Sequence, residues 1–280
     1  MDSHHHFWDP DRRDYPWMTG EAAALRRPFG PDDLRPFLVR AGVAATVLVQ
    51  TVADIEETRE FLRLAAATDF VAGVVGWVDL TAADVSESIA ALRRGIGGEF
   101  LVGIRHQVHD EVDPVWLRRE DVGRGLAAVA EAELVYDLLV RPRELPAAIE
   151  VTRHYPHLRF VVDHLAKPPI ASGGLEPWAT LIRGFAGQEH VACKLSGMVT
   201  EVGREWTVDR FVPYVATVLE VFGEERVMFG SDWPVCTLAA SYERVVDTLR
   251  EALAAVGPYP PATLGGIFGA NAAHWYRLPV

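Results

Sequence analysis

Two histidines spaced two residues apart, His4 and His6, lie at the start of the chain in Asp2-Ser3-His4-His5-His6-Phe7-Trp8. In a strand, residues i and i+2 point to the same side, so both imidazoles share a face with Asp2 and His5 turns the other way. Paired imidazoles can hold a divalent metal or stabilise a developing oxyanion. Plain core packing is the alternative, and His5 is read that way. A purification handle would also give a histidine run, but this one passes directly into Phe7-Trp8-Asp9-Pro10 with no linker. Asp232, in Phe229-Gly230-Ser231-Asp232-Trp233-Pro234, offers a carboxylate that can bind metal, orient water or take its proton. A turn-capping aspartate ahead of Pro234 is the structural alternative. His164, in Val162-Asp163-His164-Leu165-Ala166-Lys167-Pro168, titrates near neutrality and can donate or accept a proton.

Other polar residues stand where burial would be costly. Arg105 and His106 close one apolar run, and Lys194 interrupts another within Cys193-Lys194-Leu195-Ser196-Gly197. A charge in such a strand needs a partner. Arg105, His106 and Lys194 are therefore candidates for gripping substrate, with a structural ion pair as the alternative. Asp137 is a weaker candidate of the same kind. Trp17, Trp77 and Trp233 are candidates for lining a sugar-sized pocket, as is Trp8 with less support.

These residues need a scaffold that brings them together. Eight short apolar runs are expected to be strands: Asp2–Trp8, Ala45–Val52, Val71–Asp79, Leu101–Val108, Leu134–Val140, Arg159–His164, Val191–Ser196 and Arg226–Ser231. The runs are continuous rather than alternating, as in parallel strands buried on both faces. Helical patterns separate them. Asp54 with Glu57 resembles a capping box ahead of Ile55, Thr58, Leu62 and Ala65 on one face. Thr81 is a second candidate cap, for a helix through Ile89 and Leu92 that stops near Gly95. Glu120–Ala132, Arg143–His154, Trp178–Ala186, Val208–Phe222 and Ala239–Val256 fill the other gaps. Eight strand–helix units predict one α/β domain over residues 1–280, a closed (β/α)8 barrel rather than an open sheet. Such barrels carry their sites at the C-terminal strand ends, which is where His4, His6, Arg105, His164 and Asp232 fall. Residues 10–37 are expected to form a loop over that mouth.

Composition narrows the function. A formal net charge of -12 argues against nucleic acid and anionic membranes as partners. No apolar run approaches the ~20 residues of a membrane span. Cys193 and Cys236 have neither zinc-finger nor disulfide-framework spacing, and no signal-peptide pattern opens the chain. A cytoplasmic enzyme acting on a small molecule is expected, and a homo-oligomer is compatible with it. No P-loop, GxGxxG, GxSxG or HExxH motif occurs.

The opening segment with Tyr15-Pro16-Trp17-Met18 resembles the amidohydrolase superfamily, in its L-fuconolactonase and L-rhamnonolactonase-like branch. Val47–Gln50, Gly76–Leu80, Gly103–His106, Asp163–Pro168, Cys193–Gly197, Met228–Val235 and Gly269-Ala270-Asn271-Ala272 with Tyr276 resemble it in the same order. The resemblance implies a metal-dependent-hydrolase type of barrel that hydrolyses cyclic esters, often aldonolactones. The superfamily's His-x-His falls on His4 and His6, its strand-six histidine on His164 and its strand-eight aspartate on Asp232. The chain departs at strand five, where Val135-Tyr136-Asp137-Leu138-Leu139 lacks the frequent histidine ligand, and at strand four, where Arg105-His106 replaces a lysine or glutamate. The implied cofactor is one divalent metal, zinc, held by His4, His6 and Asp232 and dispensable for activity, since branch members work without one. The expected mechanism is attack of water activated by Asp232, with His4, His6 and His164 polarising the carbonyl. Two other readings remain open at this point: metal-dependent amide hydrolysis or decarboxylation, and a catalytically silent barrel that binds a sugar acid.

Overall fold

The computed structural model describes residues 1–279. Eight strands, β1 (Asp2–His5), β2 (Thr46–Val49), β3 (Val71–Gly76), β4 (Leu101–His106), β5 (Val135–Leu138), β6 (Arg159–Val162), β7 (Val191–Leu195) and β8 (Val227–Phe229), form one parallel sheet in sequence order. The ends meet. The amide of Asp232 donates to the His4 carbonyl at 2.8 Å, and that of His6 to the Trp233 carbonyl at 2.7 Å. The seam therefore closes with residues just past β8, and the barrel is complete.

The helices are α1 (Pro31–Ala41), α2 (Ile55–Ala66), α3 (Val85–Arg94), α4 (Glu120–Glu131), α5 (Leu145–His154), α6 (Trp178–Ile182), α7 (Val212–Phe222) and α8 (Tyr242–Val256). Their apolar faces pack on the strands, and both faces of the sheet are buried, as the continuous Val/Ile/Leu runs require. The last segment, α9 (Pro261–Gly265), a π-helical turn (Gly266–Ala270) and α10 (Asn271–Trp275), closes the N-terminal end of the barrel. Trp275, Tyr276 and Leu278 pack there beside Val47, Val75, Val135, Val161 and Met228. Among the described residues no helix is long and apolar enough to cross a membrane.

Several expectations need correction. The strands are shorter than their apolar runs, because the chain leaves the sheet just where the site begins: Trp8, Val52, Asp79, Val108, Val140, His164, Ser196 and Ser231 all lie in the connecting segments. The expected covering loop, 10–37, is partly helical. It contains a 3-10 turn at Gly20–Leu25 and then enters α1, whose first turn carries Pro31, Asp32 and Asp33, residue types suited to a helix start. The capping box at Asp54 does not form. Asp54 accepts from the Glu56 amide, while Glu57 turns away to the Thr51 and Val52 amides and the Thr51 hydroxyl. Thr81 is not a cap, because its helix starts at Val85 and its hydroxyl bonds Asp79 instead. α5, α7 and α8 start two to four residues later than expected, at Leu145, Val212 and Tyr242. α6 ends at Ile182 and continues only as a 3-10 turn, Arg183–Phe185.

Candidate active site

β1 delivers His4 and His6 to the C-terminal mouth, and the closing seam sets Asp232 against them. His4 Nε2 and His6 Nε2 lie 3.2 Å apart. Asp232 Oδ1 is 3.3 Å from His6 Nε2 and 3.8 Å from His4 Nε2. His164 completes the group, its Nε2 3.9 Å from the same oxygen. All four side chains are buried.

Two of these residues are held in backbone geometry that ordinary side chains avoid. Asp232 has φ +58°, and His164, Leu165, Ala166 and Lys167 form a run at +53°, +55°, +57° and +49°. A left-handed conformation costs an L-residue about 1–2 kcal/mol. Four in succession, just past β6, mark a segment held in place by its surroundings.

A cavity of about 170 Å3 opens above the cluster, lined by His6, Trp17, Thr51, Arg105, Gln107, His109, Asp110, Leu139, His164, Lys167, Asp232 and Val235. It is small beside the ~300–1,000 Å3 typical of pockets for drug-sized ligands, so it suits a single small ring. An outer compartment of about 550 Å3 shares Trp17, Thr51, Gln107 and Asp110 with it. A larger cleft of about 990 Å3, around Arg226 and Tyr259, contains none of the candidate residues.

Beneath the cavity floor lies a closed charge network. Lys194 is fully buried, its Nζ 2.6 Å from Asp137, 3.0 Å from Asp163 and 3.1 Å from His4 Nδ1. Arg105 donates to Asp163 at 2.9 Å and to the Gln50 carbonyl, with its Nη1 3.3 Å from His4 Nε2. The Tyr276 hydroxyl reaches up the barrel axis to both Asp137 oxygens, at 2.9 and 2.8 Å.

Burial pushes His4 well below the usual histidine range and His164 down to about 3, which favours the uncharged rings. Burial alone would raise Asp232, yet His164 and the contact with His6 hold it below the ordinary carboxylate range. Asp163 is likewise kept low against burial by Lys194, His4 and Arg105. Asp137 is pushed up to about 6 by burial, with Lys194 opposing.

The structure sorts the sequence candidates. Arg105 and Trp17 line the cavity. Lys194 does not reach it, because Asp137 and Asp163 hold the ammonium below His4. His106 and Trp77 are also outside it: the Trp77 indole donates to His106 Nδ1 at 3.0 Å, while His106 Nε2 meets Glu111 at 2.8 Å and lines the outer compartment. Trp233 is buried edge-on against Phe7 and Phe29, and Trp8 packs on Phe29, Tyr15 and Trp17, so neither lines the cavity. His4, expected to be catalytic, is fully buried and does not line the cavity, and neither does Asp2. Asp2 accepts from the amides of His4 and Ser231 and from the Tyr242 hydroxyl, fastening the seam. His5 points away and bonds Thr46 at 2.8 Å. Sequence reading missed Lys167, His109, Asp110, Gln107 and Thr51. Lys167 alone carried a signal, standing three residues past His164.

An amidohydrolase family model matches residues 1–278. The chain belongs to the amidohydrolase family. Among curated relatives of this amidohydrolase, an L-fucono-1,5-lactonase of Burkholderia ambifaria is 41% identical over 99% of this chain and 95% of its own. An L-fucono-1,5-lactonase of Burkholderia multivorans is 37% identical over 100% and 96%. A solved amidohydrolase of Burkholderia multivorans with bound zinc superposes with a TM-score of 0.93, at 36% identity over 99% of each chain.

The donor set fits a zinc ion. Ligand atoms of a tetrahedral zinc with ~2.0–2.1 Å bonds sit about 3.3 Å apart, close to the spacings of His4, His6 and Asp232. His6 Nδ1 lies 2.7 Å from the Val49 carbonyl, which accepts its proton and turns Nε2 toward His4 and Asp232, where the metal would sit.

Proposed function

We propose that this amidohydrolase hydrolyses the lactone of a sugar acid, with an L-fucono-1,5-lactone-like ring as its first candidate substrate. One observation carries the reading: the Asp232 carboxylate stands beside His6 and His164 in the wall of a cavity sized for one ring, with His4 packed directly behind them. The names of the two nearly full-length relatives support the substrate class.

Water beside Asp232 gives its proton to the carboxylate as its oxygen bonds the lactone carbonyl carbon. His164 faces the carbonyl oxygen and donates to the negative charge that develops on it, and His6, with the buried His4 behind it, would act there by holding the metal. As the tetrahedral centre collapses, the C–O bond to the ring oxygen breaks and protonated Asp232 returns its proton there. The product is the open hydroxy acid, which ionises in solution. Zinc, when held by His4, His6 and Asp232, would supply Lewis acidity at the carbonyl oxygen. Arg105, Lys167, Gln107 and Asp110 are placed to grip ring hydroxyls, and Trp17 to cover a ring face. Lys194 acts below the floor by holding Asp163 and His4.

The test is proton release, followed with a pH indicator, from a panel of aldono-1,4- and 1,5-lactones. Fast turnover of one or a few supports the proposal and gives the sugar stereochemistry. No turnover across the panel would overturn it.

A further inference from the structure

His164 stands in the cavity wall, and its ring has two nitrogens with different neighbours. Nδ1 faces the Ser196 hydroxyl at 2.8 Å, and Nε2 faces Asp232 at 3.9 Å. Ser196 is buried directly after β7, and His164 is the only hydrogen-bond partner of its hydroxyl among the described residues. The neighbouring Gly197, at φ +64°, lies against the ring: a Cβ there would stand 2.6 Å from His164 Nδ1 and 2.8 Å from Cγ. The ring is thus clamped between a bare glycine and one hydroxyl.

We infer that Ser196 is a positioning residue that donates its proton to His164 Nδ1 and so makes His164 present an Nε2–H to the cavity as a hydrogen-bond donor. Two independent arguments give the same tautomer. With a proton on Nδ1, Ser196 would have to accept, and its own buried hydroxyl hydrogen would have no acceptor, at a cost of roughly 1–3 kcal/mol. The bare Nε2 lone pair would then also face the Asp232 carboxylate, which is repulsive. With the proton on Nε2, the hydroxyl is satisfied and an N–H dipole faces an anion. At 3.9 Å the pair is too far apart for a direct bond, so the Nε2–H is free for an oxygen of a bound substrate. His164 is then neither the base nor a metal ligand, since either role needs a bare Nε2. Its job as donor to the carbonyl oxygen rests on the lactone-hydrolysis reading, whereas the tautomer does not.

The experiment is 15N NMR of the full chain labelled at histidine, with His164 assigned by the signal lost in His164→Gln. The expected result is a protonated Nε2 and an unprotonated Nδ1, persisting when one equivalent of zinc is added. In Ser196→Ala the Nδ1 resonance moves to that of a nitrogen without a donor. On the lactone identified by the panel, kcat of that variant falls about tenfold with KM within about twofold, less than the ~10²–10³ lost when an oxyanion donor is deleted outright. A protonated Nδ1 in the wild type, loss of the Nε2 proton on adding zinc, or an Ser196→Ala protein with unchanged kcat would each overturn the inference. The wild-type spectrum decides the tautomer even if the alanine variant fails to fold or no lactone is turned over.

Discussion

Asp232 is buried, left-handed and still ionised, and each property constrains what its replacement should do. Asparagine keeps the shape and the seam hydrogen bond to His4, which runs through the backbone amide. Asp232→Asn should therefore fold normally and lose about 10²–10⁴ in kcat, the range of a general base; near wild-type turnover would remove Asp232 from that role. Its lowered pKa sets the sign of the acid limb. The active carboxylate is present above that pKa and lost as pH falls through it. The plateau of kcat/KM should extend down to at least about pH 4, the ordinary aspartate value. Lys194 predicts a different result. Lys194→Met removes the cation between Asp137 and Asp163, and breaking one side of a buried pair costs about 3–5 kcal/mol. Urea unfolding should show that loss. The sequence singled out Lys194 correctly as a buried charge that needs a partner. It could not show that the partners were protein carboxylates rather than substrate, because Asp137 and Asp163 come from other strands.

At the scale of elements, Glu57 joins the start of α2 to the end of β2. Its carboxylate takes the Thr51 and Val52 amides and the Thr51 hydroxyl beside the cavity. Burial raises it to about 7 from a reference of 4.5. A raised folded pKa contributes stability that is full below the unfolded value and is lost as pH rises through the folded one. Stability, followed as the melting temperature, should therefore decline between about pH 4.5 and 7, by at most about 3 kcal/mol. Glu57→Gln, which mimics the protonated acid, should flatten that decline; an unchanged slope would show that Glu57 is not its source. The expected capping box at Asp54–Glu57 failed for this reason: a buried loop with two free amides outcompeted the helix end for the carboxylate. The strands and helices were otherwise legible, because apolar runs and helical periodicity are local. Their ends were not, since a strand stops where tertiary contacts pull the chain into a loop. The left-handed run at His164 to Lys167 had no local signal at all, containing no glycine.

At the scale of the whole molecule, the barrel was readable from eight repeated units. The cluster of His4, His6, His164 and Asp232 was readable because strand ends at one mouth must converge. The tryptophans were not separable, because an indole that covers substrate and one that seals a seam look alike in sequence. The lower end of the barrel depends on the last segment. Truncation before Trp275 would expose the axial valines and forfeit the burial of Trp275, Tyr276 and Leu278, about 1.5–3 kcal/mol for each. Such a protein should fail to fold, as seen by circular dichroism, while Tyr276→Phe should fold with a loss of about 1–3 kcal/mol at Asp137.

The seam has a consequence for the order of events during synthesis. His4 leaves the ribosome well before its carboxylate partner, which follows 228 positions later. While the intervening residues are made, β1 has no second neighbour, and its imidazoles face no Asp232. Hydrolytic competence is then not acquired by degrees as units are added. It arrives in one step, when the eighth strand shuts the ring and the segment through Leu278 seals its lower end.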